Sequence, residues 1–373
     1  MNTLPTDDRH WSPPYCPNPK CKHHSDLPSS PPPGWRYVRH GYHPNHAKRT
    51  RIRRYRCRTC GVTFSSQTFS TDYWLKRPDI LPKLMTKITG CMANRQIARD
   101  LLVAAPTIDR QVERLGRHCL LFHLEMTRKL KPRPEIVVDG FESFELSQYH
   151  PFHHHLAVDT ETSFFLSFTD SPLRRKGRMT PEQRDRRAEL EAIFGRPDPQ
   201  AVRKDMAELL QIVAADAVEI TIRSDEHKSY PGAIRTLVGV TVNHKMTNSQ
   251  DHRNAKNPLW EVNLLDQLIR HSSSNHKRET IAASKRRAVS AYRLAIMLVW
   301  RNYVKMRWEK RCRATPAMLI GVCERALSVE EILSERLVPS RIEIKGRWRE
   351  YYWKLVETPS LGRNRKHELK LAV

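Results

Sequence analysis

Two pairs of cysteines near the N-terminus constrain the fold more than any other feature of this sequence. Cys16 and Cys21 lie in "CPNPKC", Cys57 and Cys60 lie in "CRTCG", and 35 residues separate the pairs. In a reducing compartment, paired cysteines are more often metal ligands than disulfides, and four thiolates suit one tetrahedral Zn²⁺. The spacing therefore predicts a zinc ribbon, a small β-module over residues 10–70 held together by the ion.

The charge of the chain indicates a polyanionic partner. Its 65 Lys and Arg against 40 Asp and Glu give a formal charge of +25, and no acidic residue occurs from Leu27 to Thr71. Alternation in "RIRRYRC" predicts a strand in this basic stretch, which either contacts the phosphates of double-stranded DNA or forms a solvated surface. The candidate DNA-binding residues of the strand are Arg51, Arg53, Arg54 and Arg56.

No membrane contact is expected from this sequence. The apolar runs are all shorter than the roughly 20 residues that span a bilayer, and the first residues lack the pattern of a secretion signal. We therefore expect a cytoplasmic protein.

A helical segment follows the basic module, over residues 75–130. Apolar residues recur at helical spacing in "ITGCMANRQIARDLLVAAPTIDRQVERLGRH", which predicts two short helices. Pro106 is expected to close the first helix and Thr107 to cap the second. This layout is typical of a helix-turn-helix, although a helical bundle without DNA contact shows the same periodicity. In the DNA-binding interpretation, the second helix directs three side chains into a major groove: Arg110, Gln111 and Arg114.

Two aspartates lie where central strands are expected to end. "EIVVDGF" predicts a strand that ends at Asp139 with Gly140 behind it, and "AVEITIRSDEH" predicts another that ends at Asp225. Asp139 taken alone fits an ordinary turn residue equally well. Two carboxylates on adjacent strand ends, however, repel one another unless a cation lies between them. Mg²⁺ or Mn²⁺ suits such oxygen ligands, and a pair of these ions supports displacement at a phosphodiester.

A hairpin and a helix are expected between these two strands. "HHHLAVDTETSFFLSFTD" predicts two strands joined by a turn, with His153 to His155 as a polar strand start and Asp159 and Asp170 as turn residues. A polar insertion at about residues 171–199 carries a surface helix, and an amphipathic helix follows it. Strand, hairpin, helix and strand together predict a mixed α/β domain.

These parts in this order resemble a bacterial insertion-sequence transposase with an Asp-Asp-Glu triad. The motifs are the zinc ribbon, the helix-turn-helix, "VVDGFESF", "SDEHKSYP" and "WEVNLLDQLIR...NHKRETIAASKR". The resemblance implies a ribonuclease-H-like catalytic core over residues 135–310. It also implies that Asp139 and Asp225 are the first two Mg²⁺ ligands and that Glu261 is the third. Asp266 is the alternative to Glu261, and Glu279 is a more distant one.

The resemblance also implies a function and a set of partners. The chain is expected to bind the terminal inverted repeats of an element, to act as a homodimer or larger assembly on DNA, and to cut and join DNA strands. Residues 311–373 are expected to form a basic C-terminal extension. A DNA-binding regulator derived from a transposase, without catalysis, is the alternative.

Overall fold

The computed structural model describes residues 5–7, 11–24, 31–277, 280–310 and 313–359. Within them the chain forms two compact units, one comprising residues 1–90, 94–129 and 298–345, and the other comprising residues 91–93, 130–297 and 346–373. The segment predicted as a zinc ribbon lies in the first unit, as does the predicted helix-turn-helix segment apart from residues 91–93 and 130. Of the predicted C-terminal extension, residues 313–345 lie in the first unit and residues 346–359 in the second.

The first unit begins with a small sheet around the cysteines. Strand β3 is central to it, paired in parallel with β1 and antiparallel with β2 and β4. Aromatic side chains including Tyr15, Trp35, Tyr55 and Phe64 pack with the cysteines into its core. The strands are β1 (Thr6–Asp7), β2 (Tyr37–Asn45), β3 (Thr50–Cys57) and β4 (Thr63–Ser65), with single 3₁₀ turns at Lys22–His24 and Ser66–Phe69.

Three helices follow in the same unit: α1 (Ile80–Thr89), α2 (Asn94–Asp100) and α3 (Ala105–Thr127). The prediction for their boundaries is wrong in two respects. Pro106 lies in the first turn of α3, where a proline is well tolerated, and Ala104 occupies the position before the helix. The helix is also much longer than predicted, because its buried apolar side chains continue through Leu120 and Leu121.

The second unit is built on a mixed five-stranded sheet. Its strands are β5 (Glu135–Phe144), β6 (Pro151–Asp159), β7 (Phe165–Pro172), β8 (Glu219–Ser224) and β9 (Thr241–Met246). They lie in the order β7-β6-β5-β8-β9, with β7, β6 and β5 antiparallel and β8 and β9 parallel to β5. The mixed α/β prediction is confirmed.

Several expectations about these strands need correction. Strand β5 does not end at Asp139 but continues to Phe144, and Gly140 lies inside it rather than in a turn. Asp170 lies within β7 and is fully buried. Asp159 is the last residue of β6, and its carboxylate holds the β6–β7 turn by accepting hydrogen bonds from the amide and hydroxyl of Thr162. Strand β9 was not predicted, because "TVNHKM" is polar and lacks the pattern of a buried strand.

Five helices accompany this sheet in the described part of the chain: α4 (Pro181–Phe194), α5 (Ala201–Val213), α6 (Tyr230–Ile234), α7 (Trp260–Ser272) and α8 (Arg287–Val299). Helices α5 and α6 pack in a core with Ile136, Val138 and Ile222 of the sheet. Helix α4 buries none of its residues, which confirms the predicted surface helix in the insertion.

The last part of the chain completes both units. A π-helical turn at Trp300–Val304 and the short helices α9 (Pro316–Leu319) and α10 (Val329–Ile332) belong to the first unit. Helix α11 (Gly346–Trp353) returns to the second unit, where the indole N–H of Trp348 donates to the Phe168 carbonyl at 2.8 Å. Its Arg347 and Tyr351 also contact the buried Asp170.

Candidate functional site

A cavity of about 420 Å³ in the second unit brings together three aspartates of the predicted site. Asp139 and Asp225 come from neighbouring parallel strands, and Asp266 comes from α7. We call this cavity the aspartate cleft. Its full lining is Asp139, Gly140, Phe141, Glu142, His153, Asp225, His227, Tyr230, Arg253, Asn263, Asp266 and Arg270.

The register of the sheet explains why the first two aspartates meet. Glu135 of β5 is opposite Thr221 of β8, and Val137 is opposite Arg223. Continued by two residues, the same parallel register puts Asp139 beside Asp225. The predicted position of Asp225 directly after a buried strand is confirmed, since β8 ends at Ser224. The backbone N–H of His227 donates to Asp225 Oδ1 at 3.0 Å and orients this carboxylate.

Helix α7 directs one of its faces into the cleft. Asn263, Asp266 and Arg270 follow one another at spacings of three and four residues, which places them on a common helical face. The guanidinium of Arg270 lies 3.1 Å from each carboxylate oxygen of Asp266 and also stacks over Phe141, 5.1 Å from the ring centre. Arg270 is itself fixed against Phe141 and therefore holds Asp266 in place.

Glu261, predicted as the third metal ligand, does not line the cleft. It lies in the first turn of α7, five residues before Asp266, which rotates it by about 140° around the helix axis. Its carboxylate accepts a hydrogen bond from the hydroxyl of Ser163, in the β6–β7 turn. The structure thus favours Asp266 over Glu261 as the partner of Asp139 and Asp225. Glu279 lies outside the described residues.

The electrostatics of the cleft favour a bound cation. Burial, together with the nearby charges of Asp225 and Asp266, raises the pKa of Asp139 to about 7, although the Gly140 amide and Arg253 act in the opposite direction. Burial, together with the charges of Asp139 and Asp225, also raises the pKa of Tyr230 well above its usual value. A divalent ion would relieve the repulsion that opposes ionisation of Asp139.

The carboxylates of the cleft are less closely grouped than the cysteines. Among the residues that the structure describes, three or more ligand atoms all within 4.8 Å of one another occur at the cysteines but not in the cleft. The oxygen donors that line the cleft are the carboxylates of Asp139, Glu142, Asp225 and Asp266 and the amide of Asn263, and oxygen donors are the ligands that Mg²⁺ and Mn²⁺ prefer.

Histidines form a second group beside the cleft, and their importance was underestimated from the sequence. His153 lines the cleft, stacks on His227 with ring centres 6.3 Å apart, and contacts the Nδ1 of His155 at 3.1 Å. His155 continues to the hydroxyl of Ser171 at 2.7 Å. Burial lowers the pKa of His153 to about 3, so these rings are neutral at pH 7. They do lie near the start of a strand, as predicted, but as neutral hydrogen-bonding groups, with His154 and His155 fully buried.

Arg253 was also missed by the sequence reasoning. It lies at the mouth of the cleft on the loop between β9 and α7, and its charge acts on Asp139. The loop is shaped by asparagine side chains that accept hydrogen bonds from nearby amides, as in Leu259 N to Asn257 Oδ1 at 2.8 Å. Such turns have no hydrophobic periodicity, so only the abundance of Asn in "TNSQDHRNAKN" could have marked this segment as ordered.

The predicted metal cysteines come together in the first unit, where Cys16, Cys21, Cys57 and Cys60 offer sulfur atoms all within 4.8 Å of one another. The Cys16–Cys60 and Cys21–Cys57 sulfur distances are 3.5 and 4.0 Å. Four sulfurs at Zn–S bonds of ~2.3 Å lie about 3.8 Å apart, so the set fits tetrahedral Zn²⁺.

The surroundings of the cysteines support the same assignment. Burial opposes ionisation of Cys57, but the amide N–H of Cys60 and the indole N–H of Trp35 outweigh it and lower the pKa of the Cys57 thiol to about 6. His24 is a metal-ligating residue type next to the first pair, but its ring nitrogens contact the Cys16 carbonyl and the Ser340 hydroxyl. The four thiols, without His24, are therefore the candidate ligand set.

Part of the predicted DNA-binding surface is preorganised on β3. The guanidinium groups of Arg51 and Arg53 lie 4.9 and 4.4 Å from the ring centre of Tyr42, on the adjacent strand. Arg56 is exposed and Arg54 is half-buried. Arginines fixed in this way lose little entropy on binding a phosphate.

The predicted reading face of α3 is wrong for two of its three residues. Gln111 is buried, at 6% exposure, because it lies on the apolar stripe between Ile108 and Leu115. Arg114 donates to the carbonyls of Thr71 and Tyr73 at 2.9 and 2.8 Å, so its guanidinium holds the preceding loop. Arg110 is exposed as expected.

Comparisons with known proteins assign no family to the chain. No family model matches it. No curated protein matches it. A matching solved structure is titled "CryoEM structure of simian T-cell lymphotropic virus intasome in complex with PP2A regulatory subunit B56 gamma", at 16% identity and a TM-score of 0.25, over 65% of this chain and 72% of that one. A TM-score this low does not establish a common fold, and the likeness supports no argument about function.

The length and hydropathy of the helices bear on membrane insertion. Apart from the gaps given above, the chain has no helix that is both long enough and apolar enough to cross a bilayer.

Proposed function

We propose that this chain is a DNA transposase with a ribonuclease-H-like catalytic unit that cuts and joins DNA strands with the help of Mg²⁺ or Mn²⁺. The observation that supports this most is the convergence of Asp139, Asp225 and Asp266 on one cleft of a sheet ordered β7-β6-β5-β8-β9. Two of these aspartates were expected from the resemblance to Asp-Asp-Glu transposases, and the third, Asp266, was the alternative to Glu261.

The cleft offers enough oxygen ligands for a pair of divalent ions, the arrangement that supports displacement at a phosphodiester. Asp139, Asp225 and Asp266 would hold these ions. When bound, they would activate the attacking oxygen and stabilise the leaving oxygen. Asp139 is the ligand that interacts with both other aspartates, since the charges of Asp225 and Asp266 act on it.

The chain's own residues supply positioning around these ligands. Arg270 holds Asp266 through its guanidinium, and the His227 amide fixes Asp225. Arg253 and Asn263 remain at the mouth of the cleft, where a cation and an amide can contact a DNA phosphate. Neutral His153 keeps the opposite wall free of additional positive charge.

In this proposal the first unit recognises the DNA. The zinc-bound sheet presents Arg51, Arg53 and Arg56, and α3 presents Arg110. We propose terminal inverted repeats and target DNA as the double-stranded partners and a homodimer or larger assembly as the active form, because two ends must be joined.

The test is metal-dependent nicking of a supercoiled plasmid that carries the inverted repeats flanking the gene. Asp139→Asn and Asp225→Asn should abolish nicking in Mg²⁺ while leaving DNA affinity unchanged. Glu226→Gln is the matched control, since it removes an exposed carboxylate next to Asp225 that does not line the cleft. Undiminished nicking by either aspartate variant contradicts the assignment.

The same assay identifies the third acid. We expect Asp266→Asn to be inactive and Glu261→Gln to be active, and Glu279→Gln completes the comparison. If wild-type protein binds the repeats specifically but never nicks them in Mg²⁺ or Mn²⁺, the chain is a DNA-binding regulator instead.

A further inference from the structure

A tryptophan of the first unit protrudes into solvent from an ordered segment. Trp74 is 83% exposed, and its φ of +62° lies in the left-handed region, which a bulky side chain rarely adopts. Its ring contacts that of the adjacent Tyr73, with centres 5.9 Å apart. An exposed indole on a strained backbone is unfavourable for the free protein on both counts, which points to a role in binding.

The segment around Trp74 is fixed on both sides. Arg114 donates to the carbonyls of Thr71 and Tyr73 at 2.9 and 2.8 Å. Arg336 stacks its guanidinium over Tyr73, 4.7 Å from the ring centre. Lys48 forms an ion pair with Asp72 at 2.7 Å. The position of the indole is therefore set by three cations from other elements of the unit.

The surroundings of Trp74 specify the chemistry of its partner. From residue 68 to residue 79, the other exposed side chains are charged: Lys76, Arg77 and Asp79, the last two paired at 2.8 Å. Within this segment Trp74 is thus a single protruding ring beside Lys76, a lysine with no ion pair in the described part of the chain, and the exposed residues next to it in sequence are not apolar. A second copy of this chain would bring the same cations. A nucleotide offers the flat face of its base to the indole and its phosphate to the lysine.

We propose that Trp74 stacks on an unpaired DNA base, exposed at a gap, nick or strand end, while Lys76 contacts the adjacent phosphate. A base inside a duplex is covered on both faces by its neighbours, so the indole selects DNA whose pairing is interrupted. This proposal rests on DNA as the partner of the chain, but not on the metal-dependent chemistry of the aspartate cleft.

The test compares two DNA probes with full-length, zinc-loaded protein. One is an intact 30-base-pair duplex. The other, the gapped probe, is the same duplex with a gap in one strand, which leaves three thymines of the opposite strand unpaired at its centre. Trp74→Ala and Trp74→Leu should weaken binding to the gapped probe about 5- to 100-fold, the range for loss of one stacked base, and binding to the intact duplex less than about 2-fold. Trp74→Phe keeps an aromatic face and should bind the gapped probe nearly as wild type does. Lys76→Ala should weaken binding to both probes equally.

A further variant separates binding from folding. Glycine adopts a positive φ without strain, so Trp74→Gly should raise the melting temperature while weakening binding to the gapped probe. If wild-type protein binds neither probe, DNA is not the partner, and the proposed function fails as well. If it binds but Trp74→Leu matches Trp74→Phe on the gapped probe, or if the variants change only the oligomeric state, base stacking is refuted and the proposed catalytic function is unaffected.

Discussion

Replacing Asp139 by asparagine should stabilise the metal-free protein. The pKa of Asp139 is raised to about 7 in the folded state by burial and by Asp225 and Asp266, compared with about 3.9 in an unfolded chain. Between these values the folded state binds more protons than the unfolded state, so its stability falls as the pH rises from about 4 to 7. Above pH 7 Asp139 is ionised, and the full free-energy cost of its charged carboxylate lowers the stability of the folded state.

The size of the effect follows from this difference in pKa. Each pH unit corresponds to about 1.4 kcal/mol, which sets an upper value of about 4 kcal/mol above pH 7. Asp139 is half-buried in an open cleft, where water relieves part of the repulsion. We therefore expect Asp139→Asn to raise the free energy of unfolding by about 2 to 4 kcal/mol at pH 8 and to leave it almost unchanged at pH 4.

Local unfolding must be measured, because a chain of two units need not unfold in one step. Hydrogen exchange of peptides from β5 and β8 under increasing urea reports on the cleft directly. The buffer should lack magnesium and contain no chelator, so that zinc stays bound. Adding Mg²⁺ at pH 8 should protect these peptides in wild-type protein and not in Asp139→Asn.

Glu226→Gln serves as the control, since it makes the same chemical change on a carboxylate outside the cleft. It should alter neither the stability nor its pH dependence. A lower stability of Asp139→Asn at pH 8, or a difference from wild type that does not change between pH 4 and pH 8, would refute the electrostatic account of the cleft.

Three further outcomes are expected in the rest of the molecule. Cys57→Ser should reduce bound zinc from one ion per chain to none, measured by elemental analysis, because it removes one of four clustered thiols. Leu102→Gly should raise stability by about 0.5 to 1 kcal/mol in thermal unfolding, since Leu102 is 88% exposed with a φ of +51°. Arg99→Gly, in α2, should instead lower it by about 1 kcal/mol. Gly140→Ala should cost about 3 kcal/mol or more and lower the melting temperature, because the added Cβ would lie 1.9 Å from a carbonyl oxygen of β6.

Patterns that are local in the sequence predicted a large part of this structure. The clustering of four thiols follows from residue type and spacing. The approach of Asp139 to Asp225 follows from two apolar strands that each lead to a carboxylate, since parallel neighbours in one sheet bring such residues together. The surface helix α4 follows from its charge pattern.

Contacts between distant segments could not be predicted in the same way. Asp170 looks like a turn residue in the sequence, yet it is buried because Arg287, 3.0 Å from its carboxylate, and Arg347 compensate its charge from far along the chain. Arg114 has the sequence signature of an exposed helix residue, but its partners are two backbone carbonyls. Every residue has a backbone carbonyl, so the sequence does not mark which carbonyls Arg114 will contact.

The choice of the third acid shows the same limit within one helix. Glu261 and Asp266 are both acidic residues of α7, and the sequence alone does not tell which face of the helix meets the sheet. Burial of Val262, Leu265 and Ile269 fixes that rotation, and with it Asp266 lines the cleft while Glu261 does not. The packing of the helix therefore decides between the two candidates.

The most direct test of the account is a crystal structure of the full chain soaked with Mn²⁺, with anomalous scattering used to locate the ions. We predict two anomalous peaks about 4 Å apart in the aspartate cleft, at about 2.0 to 2.3 Å from carboxylate oxygens of Asp139, Asp225 and Asp266. Mn²⁺ bound only outside the cleft, with Asp139 paired to Arg253 in its place, would contradict the proposal that this cleft is a metal-dependent catalytic centre.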